Sequence, residues 1–370
     1  MSEQHHQQQQ LGLLCVVGTE ATSCDESVRR LIEEDRVGGL ILFQRNLTQG
    51  SPSEVRGRLA EFIAEVRACA AQAGLPTPFL MIDHEGGRVH RFEESVTRFP
   101  PPGRLGPLGP ERVAEVCRHQ ADELRAIGFN TILGPVLDVC PAEGTESHIG
   151  PRSYAGTPEL AASLGTRAIA AFLERGILPV PKHFPGYGAA PIDPHYDLPT
   201  RTDPLASLVS GDLVPFKAAA AADCPAIMTA HIVATGLDAE HPCTLSPTWL
   251  SYLREELGFG GGCVVSDDLC MKSVSERFGP PLLAERCLRA GLDLLLICHP
   301  GPGSVAEVQR HVQAAADADP EFAARVARAQ DNVARARARL DSTPAPALDD
   351  ALFARGAALR EALAAEGAVW

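Results

Sequence analysis

The sequence predicts an α/β fold: a single (β/α)8 barrel of the TIM type with a C-terminal helical extension. Two observations carry this expectation. Short, almost wholly apolar runs recur along the chain, and amphipathic helical stretches separate them. The runs are Leu13–Gly18, Gly39–Phe43, Phe79–Asp83, Thr131–Val139, Ile177–Lys182, Ala226–His231, Cys263–Asp267 and Asp293–Cys298. Continuous apolar runs of this length suit parallel strands covered on both faces. Between them, Ser53–Ala73 carries Val55, Leu59, Phe62, Ile63 and Val66 at helical spacing. Glu111–Ile127, Pro158–Arg175, Asp203–Ala222, Ser246–Leu257 and Pro281–Ala290 follow the same pattern. Strand and helix in alternation imply a parallel sheet, and the strand count favours a closed barrel. A doubly wound sheet is the alternative, but no G-x-G-x-x-G follows the first strand.

Residues 1–10, MSEQHHQQQQ, read as a disordered polar tail. Residues 11–342 form the expected barrel. Pro344 and Pro346 then break the chain before a last helix, Leu348–Ala365, within an extension of residues 343–370. The net charge of -14 argues against nucleic acid or an anionic membrane as partner. The run Leu11–Val17 is too short to span a bilayer and has no basic flank. Eleven cysteines, with no C-x-x-C pair, suit a reducing compartment, so a cytoplasmic protein is expected.

Barrel chemistry sits at the C-terminal ends of the strands. Those ends carry Arg45, Asp83, Glu85, Asp138, Lys182, His183, His231, Asp267 and Asp268. Gly86-Gly87 lets the backbone turn beside a ligand. Arg88 and Arg91 are then available to clamp the acids, with Glu85–Arg88 the expected internal pair. Of the adjacent Asp267 and Asp268, one faces the mouth and the other binds backbone amides or caps a helix. A Gly/Pro-rich loop after Lys182-His183 delivers Asp193 and His195 two residues apart. A carboxylate beside an imidazole fixes its tautomer and steadies its protonated form, which suits proton transfer.

The motifs KHFPGYG with D-P-H, VVSDDLCM, IDHEGGRV and GPRSY together resemble the bacterial β-N-acetylglucosaminidases of glycoside hydrolase family 3. The resemblance runs from about Leu11 to Pro300 and implies a barrel fold and a cytoplasmic role in peptidoglycan recycling. Carried over residue by residue, it makes Asp267 the nucleophile, His195 the general acid/base and Asp193 its partner. It makes Asp83, Arg91, Arg152, Lys182 and His183 substrate-binding residues. Two departures stand out. The family usually has His where this chain has Tyr187, and often Ser where it has Pro194.

The activity implied is that of a retaining exo-β-N-acetylglucosaminidase with a covalent glycosyl-enzyme. Its substrates would be peptidoglycan fragments, GlcNAc-β-1,4-anhydroMurNAc peptides, or chito-oligosaccharides. A histidine acid/base does not repel an incoming anion, so a phosphorylase using the same Asp/His pair is the alternative. A Schiff-base aldolase on Lys182 and a sugar-binding barrel without catalysis are weaker rivals. No cofactor or metal is expected. The expected partner is a small amino-sugar glycoside, with no nucleic acid and no membrane, and the protein is expected to be a monomer.

Overall fold

The computed structural model describes residues 11–141, 147–188, 190, 197–301 and 303–369. The predicted N-terminal tail lies outside them. The barrel strands are β1 (Cys15–Gly18), β2 (Gly39–Leu42), β3 (Phe79–Ile82), β4 (Thr131–Ile132), β5 (Leu178–Pro179), β6 (Ala226–Met228), β7 (Cys263–Asp268) and β8 (Leu294–Ile297). Every predicted strand is present. They form one 8-stranded sheet in the order β5-β4-β3-β2-β1-β8-β7-β6, each pair parallel. The two ends of this order meet just beyond β5 and close the barrel. Met228 N–H donates to Pro181 O at 2.8 Å, Phe184 N–H to Met228 O at 2.8 Å, and Ala230 N–H to Phe184 O at 2.7 Å.

Two strands are shorter than the apolar runs that predicted them. Thr131–Val139 holds only two ladder residues before Pro135, and Ile177–Lys182 contains Pro179 and Pro181. Proline has no N–H to offer the ladder, so regular pairing stops early. At Gly39 the packing between strands leaves no room for a side chain. A Cβ there would lie 2.1 Å from Phe79 O.

The surrounding helices are α1 (Glu26–Glu33), α2 (Pro52–Gln72), α3 (Pro110–Ile127), α4 (Pro158–Glu174), α5 (Leu205–Ser210), α6 (Leu213–Ala221), α7 (Pro247–Glu255) and α8 (Pro280–Ala290). After β8 come α9 (Ser304–Ala318), α10 (Pro320–Arg337) and α11 (Asp350–Ala365). The helix α1 was not predicted, because it has only Val28 and Ile32 to bury. It starts where the Asp25 carboxylate accepts from Val28 N at 3.1 Å. The predicted helix Asp203–Ala222 is two helices, separated at Gly211-Asp212. There the Asp212 carboxylate turns away from the helix to accept from Arg201 at 2.9 Å.

The bottom of the barrel is pinned by one buried acid. Asp293, just before β8, is fully buried. Its carboxylate accepts from Val264 N at 2.9 Å, Arg254 at 2.7 Å, Arg325 at 2.6 Å and Asn332 at 3.0 Å. It thereby ties β7, α7 and α10 to the start of β8. Asp293→Ala leaves two guanidinium groups without their carboxylate. It is expected to lower unfolding free energy by roughly 3–5 kcal/mol, to be read from urea denaturation curves.

Candidate active site

The C-terminal ends of β3, β4, β5, β6 and β7 meet at one mouth. The chain leaves β3 through Asp83-His84-Glu85 and reverses at Gly86 and Gly87, whose φ angles are 93° and 56°. The backbone of Phe99 and Pro100 packs so closely that a Cβ on Gly86 would sit 2.7 Å from Pro100 O. This turn aims Asp83 and Glu85 inward. Beyond β5, Lys182 and His183 follow, joined by a cis peptide bond and both buried.

Lys182 sits between the two acids of the β3 end. Its Nζ lies 2.7 Å from Asp83 Oδ1 and 2.7 Å from Glu85 Oε1. Asp83 Oδ2 also accepts from Arg91 at 3.1 Å. Glu85 is gripped by Arg152, whose Nε and terminal nitrogen each donate at 2.8 Å, a fork-shaped bidentate pair. Two acids and three bases thus form a single connected network.

Burial alone would raise the Asp83 pKa, but the charges of Lys182 and Arg91 outweigh it and hold the group at about 2. Burial likewise opposes ionisation of Glu85, and Arg152 with Lys182 overcomes it, so its pKa is lowered. Burial would lower the pKa of Lys182; Asp83 and Glu85 raise it instead. Lys182 is therefore held as an ammonium. That suits donation of hydrogen bonds and disfavours the amine nucleophile a Schiff-base aldolase needs.

A second chain of contacts runs from β4 to β7. Asp138, fully buried, accepts from His183 Nδ1 at 2.7 Å, from His183 N at 3.2 Å and from Tyr187 N at 2.6 Å. Burial opposes its ionisation, but His183 and the Tyr187 amide prevail and lower its pKa. With Nδ1 donating to this carboxylate, His183 Nε2 is left as the acceptor toward Arg152, 3.4 Å away. The Tyr187 hydroxyl accepts from His231 N at 3.2 Å. His231 Nε2 lies 3.0 Å from Asp268 O. A carbonyl only accepts, so Nε2 carries the proton and Nδ1 accepts from Thr244 Oγ1 at 2.8 Å. Burial lowers the His231 pKa despite the nearby charge of Asp267.

Asp267 and Asp268 end β7 and divide their work. Asp268 Oδ1 accepts from Cys270 N at 2.9 Å and Cys298 N at 3.0 Å, so this residue fastens the β7 and β8 loops. Asp267 is half-buried, and its Oδ1 accepts from Asp268 N at 2.8 Å. Its charge also reaches the Tyr187 hydroxyl, whose pKa burial in the first place, then Asp267 and Asp138, push well above the usual tyrosine value.

The structure thus brings Asp83, Arg91, Arg152, Lys182 and His183 into one network and sets Asp267 on the same rim. Asp193 and His195 lie outside the described residues. One pairing differs from expectation. Glu85 is held by Arg152 and Lys182, whereas Arg88 donates to His148 O. The turn at Gly86-Gly87 intervenes and sends Arg88 outward, where it is exposed. Tyr187 is the residue whose role the sequence reading missed. The apolar KHFPGYG context marked it as a departure, with no signal that its hydroxyl would reach His231.

Asp83, Glu85 and Asp138 all have lowered pKa values in the folded chain. Their stabilising contribution is complete above the unfolded carboxylate range and is lost as pH falls through the folded values. For Asp83 that window runs from 3.8 to about 2. Urea midpoints measured across this window should fall with pH, and Lys182→Met should move the fall to higher pH.

The glycosyl hydrolase family 3 N-terminal domain matches residues 6–332. A β-hexosaminidase of Thiobacillus denitrificans is 38% identical over 298 residues, 78% of each chain. Among solved structures, a glycoside hydrolase family 3 β-N-acetylglucosaminidase from Paenibacillus superposes with a TM-score of 0.85 at 33% identity. That match covers 96% of this chain and 68% of the other. A β-N-acetylhexosaminidase from Beutenbergia cavernae superposes at 0.78 with 27% identity, covering 90% and 98%.

Proposed function

The chain belongs to glycosyl hydrolase family 3, and from that premise we propose that it is a retaining exo-β-N-acetylglucosaminidase. Its substrates are peptidoglycan fragments of the GlcNAc-β-1,4-anhydroMurNAc type or chito-oligosaccharides. The observation that carries this reading is the charge-ordered mouth. Ionised Asp83, charged Lys182 and the guanidinium groups of Arg91 and Arg152 converge opposite a half-buried carboxylate, Asp267. The relatives' names, β-hexosaminidase and β-N-acetylglucosaminidase, supply the sugar.

A sugar in the outermost pocket donates its hydroxyl protons to Asp83 and to His183 Nε2 and takes hydrogen bonds from Lys182, Arg91 and Arg152. Asp267 attacks the anomeric carbon while His195, oriented by Asp193, gives its proton to the leaving oxygen. The C–O bond to the leaving sugar breaks as the Asp267 ester forms. His195 then takes a proton from water, whose oxygen displaces Asp267 at the same carbon. Two inversions give net retention. An imidazole, with an ordinary pKa of about 6.5, serves as acid and then as base near neutral pH.

Residues 11–342 act as the catalytic barrel and residues 343–370 as an extension packed on it. We assign the protein to the cytoplasm as a monomer. Its free cysteines, ten of eleven buried, support a reducing compartment. No helix among the described residues is long and apolar enough to cross a membrane.

Asp267→Ala is expected to reduce turnover of an aryl N-acetyl-β-glucosaminide by at least roughly a thousandfold, because the missing nucleophile serves every leaving group. His195→Ala should spare activated aryl substrates and cripple chitobiose, by about a hundredfold or more. Full activity of His195→Ala on chitobiose would remove this assignment. NMR of the first-formed sugar should show the β anomer. The same assay run in phosphate should release free sugar; a sugar 1-phosphate would identify a phosphorylase instead.

A further inference from the structure

We propose that an arginine-lined cavity at the bottom of the barrel, on the side away from the catalytic mouth, binds a small phosphate-bearing molecule. The cavity is about 520 Å³ and lies between α7, the end of α8 and α10. Arg254, Arg289, Arg325, Arg328 and Arg335 line it, against one lining carboxylate, Asp331. This concentration of positive charge stands out on a chain whose net charge is -14.

The sequence of α10 builds the wall. Phe322, Val326, Ala329, Val333 and Ala336 form its buried face. Arg325, Arg328, Asn332 and Arg335 fall at i, i+3, i+7 and i+10, so they make a stripe along the neighbouring face. The stripe is not used up by internal pairing. Buried Asp293 takes Arg254 and Arg325 together. Arg289 is matched by Glu285 and Asp319. Among the described residues Arg335 reaches only the Gly261 carbonyl, at 3.3 Å, and the Asn332 amide oxygen. Arg328 is exposed and has no ion pair or hydrogen bond among the described residues.

The remaining positive charge is felt inside the cluster. Burial and the charges of Arg254 and Arg328 lower the Arg325 pKa in spite of Asp293. A dianion beside Arg328 and Arg335 relieves that repulsion. Planar guanidinium forks match phosphate oxygens two at a time, which favours phosphate over a monovalent halide. The cavity is within the range of small-molecule sites, roughly 300–1,000 Å³. It exceeds what a bare phosphate fills, and the side chains of Pro247 and Leu250 on its wall offer apolar contact to the rest of a phosphate ester.

Isothermal titration with pyrophosphate, inorganic phosphate and glucose 6-phosphate tests this, with sodium chloride matched for ionic strength as control. Saturable binding of at least one of the three is expected, weakened roughly tenfold or more in the R328A/R335A double variant. Both positions are exposed, and the variant should keep the wild-type unfolding midpoint and wild-type aryl-glycoside hydrolysis. Tighter binding of glucose 6-phosphate than of inorganic phosphate identifies an ester as the ligand; the reverse order identifies free phosphate. Heats no different from chloride for all three probes, or undiminished binding by the double variant, would overturn the proposal.

Discussion

The ammonium of Lys182, shared between Asp83 and Glu85, is the interaction on which the rest of the mouth depends. It joins the end of β5 to the end of β3, across β4. Without it, two carboxylates would face each other in a site where burial already opposes their ionisation. With Arg91 and Arg152 on their outer sides, both acids stay charged and fixed in orientation. Groups fixed in this way need little reorganisation when a ligand binds.

The second chain of contacts gives the mouth its other wall. Asp138 holds His183 and the Tyr187 amide, and the Tyr187 hydroxyl receives the His231 amide. Each member is buried, so each must find a partner inside the protein. A tyrosine adds reach. Its ring packs against His183 and His148 with centroids 5.1 and 4.6 Å apart, while its hydroxyl spans to the β6 end. The two chains meet at His183 and Arg152, which couples the ring of His183 to the charge network.

The barrel uses its two ends differently. At the top, charges are paired closely enough to remain buried around the mouth. At the bottom, Asp293 satisfies two arginines, and further arginines are left facing solvent. Ion pairing at the top fixes the side chains of the mouth, and at the bottom it anchors strands to the outer helices.

Much of this was legible in the residues themselves. Strands such as Phe79–Ile82 and Leu294–Ile297 are apolar at every position, because both faces are covered in a barrel. The polar groups that interrupt those runs mark the strand ends, and that alone puts Asp83, Asp138, Lys182, His231 and Asp267 on one rim. The division between Asp267 and Asp268 also follows from the sequence, since adjacent residues leaving a strand point apart. The pairing of Glu85 was not legible. Arg88 is three residues away and Arg152 is far along the chain, but the turn at Gly86-Gly87 directs the near arginine outward and closure of the barrel brings in the distant one. The break at Gly211 and the reach of the Tyr187 hydroxyl belong to the same class. Periodicity and residue type determine which elements form and which ends carry charge, because those depend on local geometry and burial. Which charge meets which is decided only when eight strand ends are drawn into a ring, because partners distant in sequence then compete at contact distance.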